Sequence, residues 1–440
     1  ELFIAAHAIC PPRGEREQVL EGSEKLASDA VIPRGTSVKN RVSGRCALHV
    51  RQLRPGNGIG PGPGVYPLDS AQSYYFFSSR YALTAAIAAL DIKPGDKVLV
   101  PSYNCGTEVD PFVRLGLEPV YFRVRPDLRV DLDDIVRRAR AGAKAVMVTH
   151  YLGFPQPVDE LMRICKDNGL LFIEDCAHAF LSSYRRRPLG SFGDASFFSL
   201  MKTLPVPNGG VLVLGNSHAW QKDSSEPPSI FPTLLYAVEL MRHRSSGMDD
   251  GWRERMLILP REGLYLSSRG LRLLLLAYRK VFRPGALFLV RPDSYLFHEE
   301  VRDWSMSSLS RVILRNVRYD QVFDARRRNF QYLLTRLGDT EGISLPFTSL
   351  PEGVCPLFFP MVVESPAQRD MMYAALKKRG IVSHPWWKWF HPHVPWDAFP
   401  EAVYLKQRLF GLPIHQDLTV GHLERVVEEF QRAFRLGERR

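Results

Sequence analysis

The sequence predicts an α/β protein: a large domain with a mostly parallel sheet flanked by helices, followed by a smaller C-terminal α+β domain. Three observations carry this. Six short apolar runs recur between residues 97 and 214, "KVLVPS", "EPVYFRV", "KAVMVTHY", "LLFIEDC", "ASFFSL" and "GVLVL", each of the length and composition of a strand buried on both faces. Helical segments alternate with them, "TEVDPFVRLG", "DLDDIVRRARAG" and "VDELMRICKDNG", and strand alternating with helix makes a parallel layer. After about residue 215 the rhythm stops, then "CPLFFPMVVE" and "PAQRDMMYAALKKRG" supply a strand and a helix of a second unit.

In chain order, residues 1–65 mix Arg, Gly and Ser and end in "PGNGIGPGPG", which predicts a poorly ordered leader without a core. Residues 66–230 form the large domain, opening with the aromatic run and alanine-rich helix of "SYYFFSSRYALTAAIAAL". Residues 231–320 read as a helical insertion or linker. Residues 321–440 form the small domain, with a long helix in "DARRRNFQYLLTRLG" and an amphipathic one in "DLTVGHLERVVEEFQRAF".

The chain has 440 residues and a formal charge of +11, a balance that favours anionic partners. RNA-binding patterns of interleaved aromatic and basic residues are absent, so nucleic acid is not expected. The six cysteines are scattered without a CxxC pair and no signal peptide is visible; reduced thiols in the cytoplasm are expected. No run reaches the ~20 apolar residues of a membrane span. The nearest, 270–290, reads as two helical pieces, with a peripheral membrane contact as the second reading.

Polar residues at strand ends carry the chemistry, because parallel sheets bind ligands beyond their carboxyl edges. In "FIEDCAHAF" (172–180), Asp175 closes an apolar strand and His178 follows three residues on. A carboxylate there either caps the next helix or pairs with a cation such as a protonated ring nitrogen. In "SLMKTLPVPNGG" (199–210), Lys202 stands three residues after Ser199, before a stiff proline-bearing exit. It is either a solvated lysine or an amine aimed at a carbonyl. Ser79 and Arg80 sit where a helix begins, which suits either a plain N-cap or a phosphate. Phosphate cradle, acid and lysine together are what pyridoxal phosphate (PLP) requires. The aromatic stretch 383–396 holds His384, His391 and His393 without an acid or Cys at metal spacing, so no metal is expected.

These motifs resemble the DegT/DnrJ/EryC1/StrS sugar aminotransferases, PLP-dependent enzymes of fold type I. The resemblance runs from about residue 73 to the C-terminus and rests on "FIEDCAHAF", "KPGDKVLVPSYNCGTEVDPFVRLGLEPVYFRV" and "LPIHQDLT". It implies that Asp175 pairs with the pyridine nitrogen, Lys202 attaches the cofactor, and His178 lies near the ring hydroxyl or phosphate. It further implies that Ser79, Arg80 and Ser199 (or Ser196) contact the phosphate, and that Tyr103 or Cys105 lies where an aromatic stacks on the ring. The chain departs from the family with Ser79-Arg80 for Gly-Thr, Cys105 for an aromatic, Thr203 for Asn, and Asp303 near a usual Asn. The implied reaction is amino transfer from an amino acid, glutamate the expected donor, to a keto group of a nucleotide-linked sugar, in a homodimer with shared sites. A non-catalytic homologue that binds PLP or a sugar nucleotide is the alternative. Sugar dehydration on the same scaffold replaces the lysine by His, and Lys202 argues against it.

Overall fold

A computed structural model describes residues 41–53, 65–220, 226–241 and 296–438, with residues 243, 245, 290 and 294. All of these fall within one unit, residues 37–440.

The large sheet has seven strands: β1 (Ser73–Phe76), β2 (Lys97–Pro101), β3 (Glu118–Phe122), β4 (Ala143–Thr149), β5 (Leu171–Asp175), then β8 (Ala195–Ser199) and β9 (Gly210–Leu214), with a small hairpin of β6 (Ser183–Tyr184) and β7 (Arg187–Pro188) between them. The spatial order is β1-β9-β8-β5-β4-β2-β3. β9 alone runs against the others; the remaining pairs are parallel. The six apolar runs of the sequence are β2, β3, β4, β5, β8 and β9.

Crossover helices cover this sheet: α1 (Ser79–Ala89), α2 (Val109–Arg114), α3 (Leu132–Ala139) and α4 (Val158–Asn168). Asp131 caps α3, its carboxylate accepting from the Asp134 N–H at 3.0 Å, which satisfies a donor the first turn leaves open. A short turn, α5 (Leu200–Thr203), follows β8 and carries Lys202. Further along come α6 (Ile230–Met241), α7 (Ser308–Arg315) and the long α8 (Tyr319–Leu337).

The C-terminal part is a four-stranded antiparallel sheet in the order β10-β11-β13-β12, made of β10 (Ile343–Ser344), β11 (Phe359–Val363), β12 (His384–Pro385) and β13 (Leu409–Leu412). Helices α9 (Pro366–Lys378), α10 (Pro400–Arg408) and α11 (Val420–Glu438) complete it. Phe330 and Leu333 of α8, Phe359 and Met361 of β11 and Phe430 of α11 share its core. The sequence reading missed β13 because Gly411 interrupts its apolar pattern. The glycine has a packing reason: a Cβ there would lie 2.7 Å from the Trp386 indole nitrogen.

Part of the expected leader is built into the fold. Val42, Ala47 and Leu48 are fully buried. Val42 bridges to Ile381, the Ser43 carbonyl meets the His415 ring at 3.0 Å, and the Ala47 N–H donates to Asp417 at 2.7 Å. Short apolar residues at 42, 47 and 48 are too few to register as a periodic pattern, yet each finds a place in a preformed seam. Residues 1–40 and 54–64 lie outside the described residues, as do 270–289, where the membrane-contact reading falls. Among the described residues no helix is long and apolar enough to cross a membrane.

Gly210 sets the distance between β9 and the start of α1. A Cβ at this position would lie 2.3 Å from the Ser78 carbonyl and 2.6 Å from the Ser79 nitrogen. Both are backbone atoms and cannot swing away. Gly210→Ala is expected to lower the unfolding free energy by about 1–3 kcal/mol, the usual cost of overpacking, read from urea denaturation.

Candidate active site

The register of the large sheet sets Thr149 of β4 beside Asp175 of β5, and Asp175 beside Phe197 of β8. The carboxyl ends of three neighbouring strands therefore converge on one spot, and α5 brings Lys202 there directly after β8.

Glu174 and Asp175 are adjacent in sequence and part company in space, because successive side chains of a strand point to opposite faces. Glu174 is fully buried and held by protein donors alone. It accepts from the backbone N–H groups of Gly190, Phe192 and Gly193 at 2.9, 2.7 and 2.7 Å, and meets the His150 ring at 3.0 Å. It pins the loop between β7 and β8. His150, Glu174 and Cys176 are close enough to hold an ion. Glu174 is already satisfied, however, and the other His150 nitrogen accepts the Gln156 N–H at 3.1 Å; the cluster is structural.

Asp175 points the other way, into a cavity. Its carboxylate accepts from the Thr149 hydroxyl at 3.0 Å and the Ala177 N–H at 2.9 Å. Burial pushes its pKa up to about 6, with the Glu108 carboxylate adding to the rise and Lys202 opposing it. Ser79, Arg80, Cys105, Glu108, Thr149, Asp175, His178, Lys202 and Trp387 surround the same cavity. Among the described residues Lys202 has no hydrogen-bond or ion-pair partner.

His178 is buried. Its Nδ1 accepts the Leu152 N–H at 3.4 Å, and burial, then Lys202 and His384, push its pKa well below the usual imidazole value. It is a neutral ring with its proton on Nε2. Ser79 is the first residue of α1, so its backbone N–H has no intrahelical acceptor, and Ser78 supplies no side-chain cap. The N-terminus of α1 thus offers the cavity an uncapped donor. The Arg80 guanidinium turns to the carbonyls of Leu296 and Ser294.

Two expected contacts fall outside the cavity lining. Tyr103 is buried behind it, its hydroxyl donating to the Trp386 carbonyl at 2.6 Å and its ring packed on Tyr151 and Trp387. The aromatic that reaches the cavity is Trp387, from the C-terminal loop, tilted 33° to the His178 ring at 5.5 Å. Ser199 is the last residue of β8, buried and likewise outside the lining. Of the three histidines in the aromatic stretch, His384 stacks on Phe358 and His391 faces Asp110 at 3.3 Å. The His393 N–H donates to His391 at 3.2 Å. Asp303 is exposed.

Sequence reasoning missed Glu108 and Thr149. Glu108 is marked only by its burial, at 7% exposure. It also missed what holds the lysine turn. The Thr203 carbonyl accepts from Arg326 at 3.1 Å, Gln416 at 3.2 Å and the Cys46 thiol at 3.5 Å. Arg326 is itself buried and donates also to the carbonyls of Pro356 and Leu357 and to the Gln416 side chain.

The fold is that of an aminotransferase family. The family model described as DegT/DnrJ/EryC1/StrS aminotransferase matches residues 76–225 and 307–431, and the chain belongs to that family. It is 26% identical over 374 residues, 83% of this chain and 85% of the other, to the dTDP-4-dehydro-2,3,6-trideoxy-D-glucose 4-aminotransferase of Saccharopolyspora spinosa. It is 36% identical to the GDP-perosamine synthase of Vibrio cholerae over a shorter stretch, 30% of this chain and 37% of that protein. The aminotransferase TlmJ from Streptoalloteichus hindustanus shares the fold with a TM-score of 0.61 at 20% identity, covering 90% of this chain and 99% of that one. The sugar aminotransferase Spr1654 of Streptococcus pneumoniae in its PLP form does so with a TM-score of 0.60 at 17% identity, covering 90% and 99%.

The two adjacent carboxylates are expected to behave in opposite ways. Glu174→Ala strands three N–H groups, that of Gly190 buried and those of Phe192 and Gly193 half-buried, and should cost about 3 kcal/mol. Asp175→Ala removes a carboxylate that is buried at a cost and should leave the denaturation midpoint within the range of an ordinary substitution. Urea unfolding of the two variants, side by side, checks this.

Proposed function

We propose that this protein is a PLP-dependent aminotransferase that moves an amino group from an amino acid, glutamate the expected donor, to a keto group of a nucleotide-linked sugar. The observation that carries the reading is one buried cavity holding Lys202 and Asp175, at the ends of neighbouring strands, with an uncapped helix N-terminus on its wall. The residues fit the cofactor. Asp175 would hold the pyridine nitrogen, Lys202 the aldehyde carbon, and Ser79 with the first turn of α1 the phosphate. The named relatives act on dTDP- and GDP-linked sugars by their names, which supports the acceptor class. As in the family at large, a cytoplasmic homodimer is the expected form.

When bound, PLP supplies an electron-withdrawing ring that makes the hydrogen on the amino-bearing carbon acidic. The chain does the rest. Asp175 as carboxylate keeps the ring nitrogen protonated, and Thr149 and the Ala177 N–H hold its orientation. Lys202 Nζ takes a proton from the donor's α-carbon and later delivers one to the acceptor carbon that held the keto oxygen. His178, being neutral, offers an Nε2–H hydrogen bond without adding charge. Trp387 lines the cavity and offers the cofactor an aromatic wall.

A non-catalytic binding role is the second reading. It is favoured by the commitment of the Arg80 guanidinium to backbone carbonyls and by the extra acid, Glu108. Borohydride reduction of the PLP-loaded protein followed by peptide mapping decides the first question: the label is expected on Lys202, and scattered surface labelling would sink the cofactor reading. Glutamate-dependent release of 2-oxoglutarate in the presence of dTDP- or GDP-linked 4-keto sugars tests turnover, and Lys202→Ala should abolish it. A labelled but inert protein would support the second reading.

PLP affinity should also depend on pH. The Asp175 pKa lies at about 6, so its carboxylate is lost as pH falls through that value. PLP binding is expected to weaken about tenfold for each pH unit below 6, measured as Kd by fluorescence between pH 5 and 8.

A further inference from the structure

Glu108 has no role in the scheme above, yet it is a buried carboxylate in the cavity with Lys202 and Asp175. Its oxygens accept from the Cys105 N–H at 2.9 Å and from the Cys105 thiol at 2.7 Å. No ion pair of Glu108 occurs among the described residues. The thiol cannot share its charge: burial first, then Glu108, push the Cys105 pKa up to about 12, so it stays a neutral donor. The Lys406 amine, which also feels Glu108, is already committed to the Trp389 carbonyl and to the rings of Phe390 and Trp396.

We propose, resting on the PLP reading, that Glu108 is a second working acid of this site, whose negative charge keeps the bound cofactor's ring nitrogen and the Lys202 nitrogen protonated. The charged side chains lining the cavity are Asp175, Glu108, Lys202 and Arg80, and the Arg80 guanidinium is turned to the Leu296 and Ser294 carbonyls. An anion this buried acts over several ångströms with less screening than at the surface. It favours the protonated form of every group it faces. Those groups are Cys105, Tyr121, Tyr151, Asp175 and Lys406, drawn from the turn after β2, from β3, from the segment after β4, from β5 and from α10. The position of Glu108 explains a departure too. The family places an aromatic where Cys105 stands, and here that small residue serves as the donor that holds Glu108 in the site.

The test separates charge from shape. Glu108→Gln keeps an oxygen to accept from Cys105 and removes the charge; Glu108→Ala removes both. The readout is the pH midpoint of the visible absorption band of PLP bound to Lys202, followed without substrate. Glu108→Gln is expected to lower that midpoint by about one unit, a tenfold loss of proton affinity, with the thermal midpoint held near wild type. An unmoved absorption midpoint in Glu108→Gln, with loss of stability confined to Glu108→Ala, overturns the inference and leaves Glu108 as a brace for the Cys105 turn. If the wild-type protein gives no band with PLP, the cofactor reading itself falls and this inference with it. A wild-type band with an unmoved variant sinks this inference alone.

Discussion

The arrangement hangs on the Arg326 guanidinium. It is buried in the C-terminal part of the chain, and its partners are uncharged: the carbonyls of Thr203, Pro356 and Leu357 and the side chain of Gln416. A buried charge tolerates such a place only if its donors are used. The carbonyls it uses join α5, which carries Lys202, to the segment before β11. The amine is therefore aimed by a cation that never approaches the chemistry. The large sheet supplies the strand end, and the small domain fixes the direction in which the turn leaves it.

The large sheet was legible because its strands are buried on both faces and read as continuous apolar runs, and because Asp175 and Lys202 stand where such strands end. The small sheet was half legible. β11 is a run of five buried residues, whereas β12 has two residues and β13 carries Gly411, so neither shows a pattern. The site was legible where function and chain position coincide. Tyr103 stands just past β2, a place that suits ring stacking, yet lies outside the cavity lining. Its burial is decided by Trp386 and Trp387, which arrive from 283 residues further along the chain, and single-sequence reasoning cannot supply that contact. The Glu174–Asp175 pair was ambiguous in sequence and becomes clear only through strand alternation, one acid turning to the β7–β8 loop and the other to the cavity.

Electrostatically the site is unusual in its balance. Lys202 shares the cavity with two buried carboxylates, while Arg80 on the same wall spends its hydrogen bonds on Leu296 and Ser294. Positive potential at this end of the cavity comes also from the α1 backbone, whose oriented peptide dipoles cannot be titrated away. Gly210 matters for the same reason: it lets β9 lie against the first peptide of that helix, so the helix end is fixed by backbone contact.

The Cys46 thiol on the Thr203 carbonyl has a consequence for where the protein begins, in the physical sense. The match to the family model starts at residue 76, yet the peptide that carries Lys202 is braced from residue 46. Val42 and Ser43 reach the small domain at Ile381 and His415, while Ala47 reaches Asp417. A fragment cut to the residues of the family match would therefore retain Lys202, Asp175 and the α1 terminus but shed one wall of the seam that steadies them.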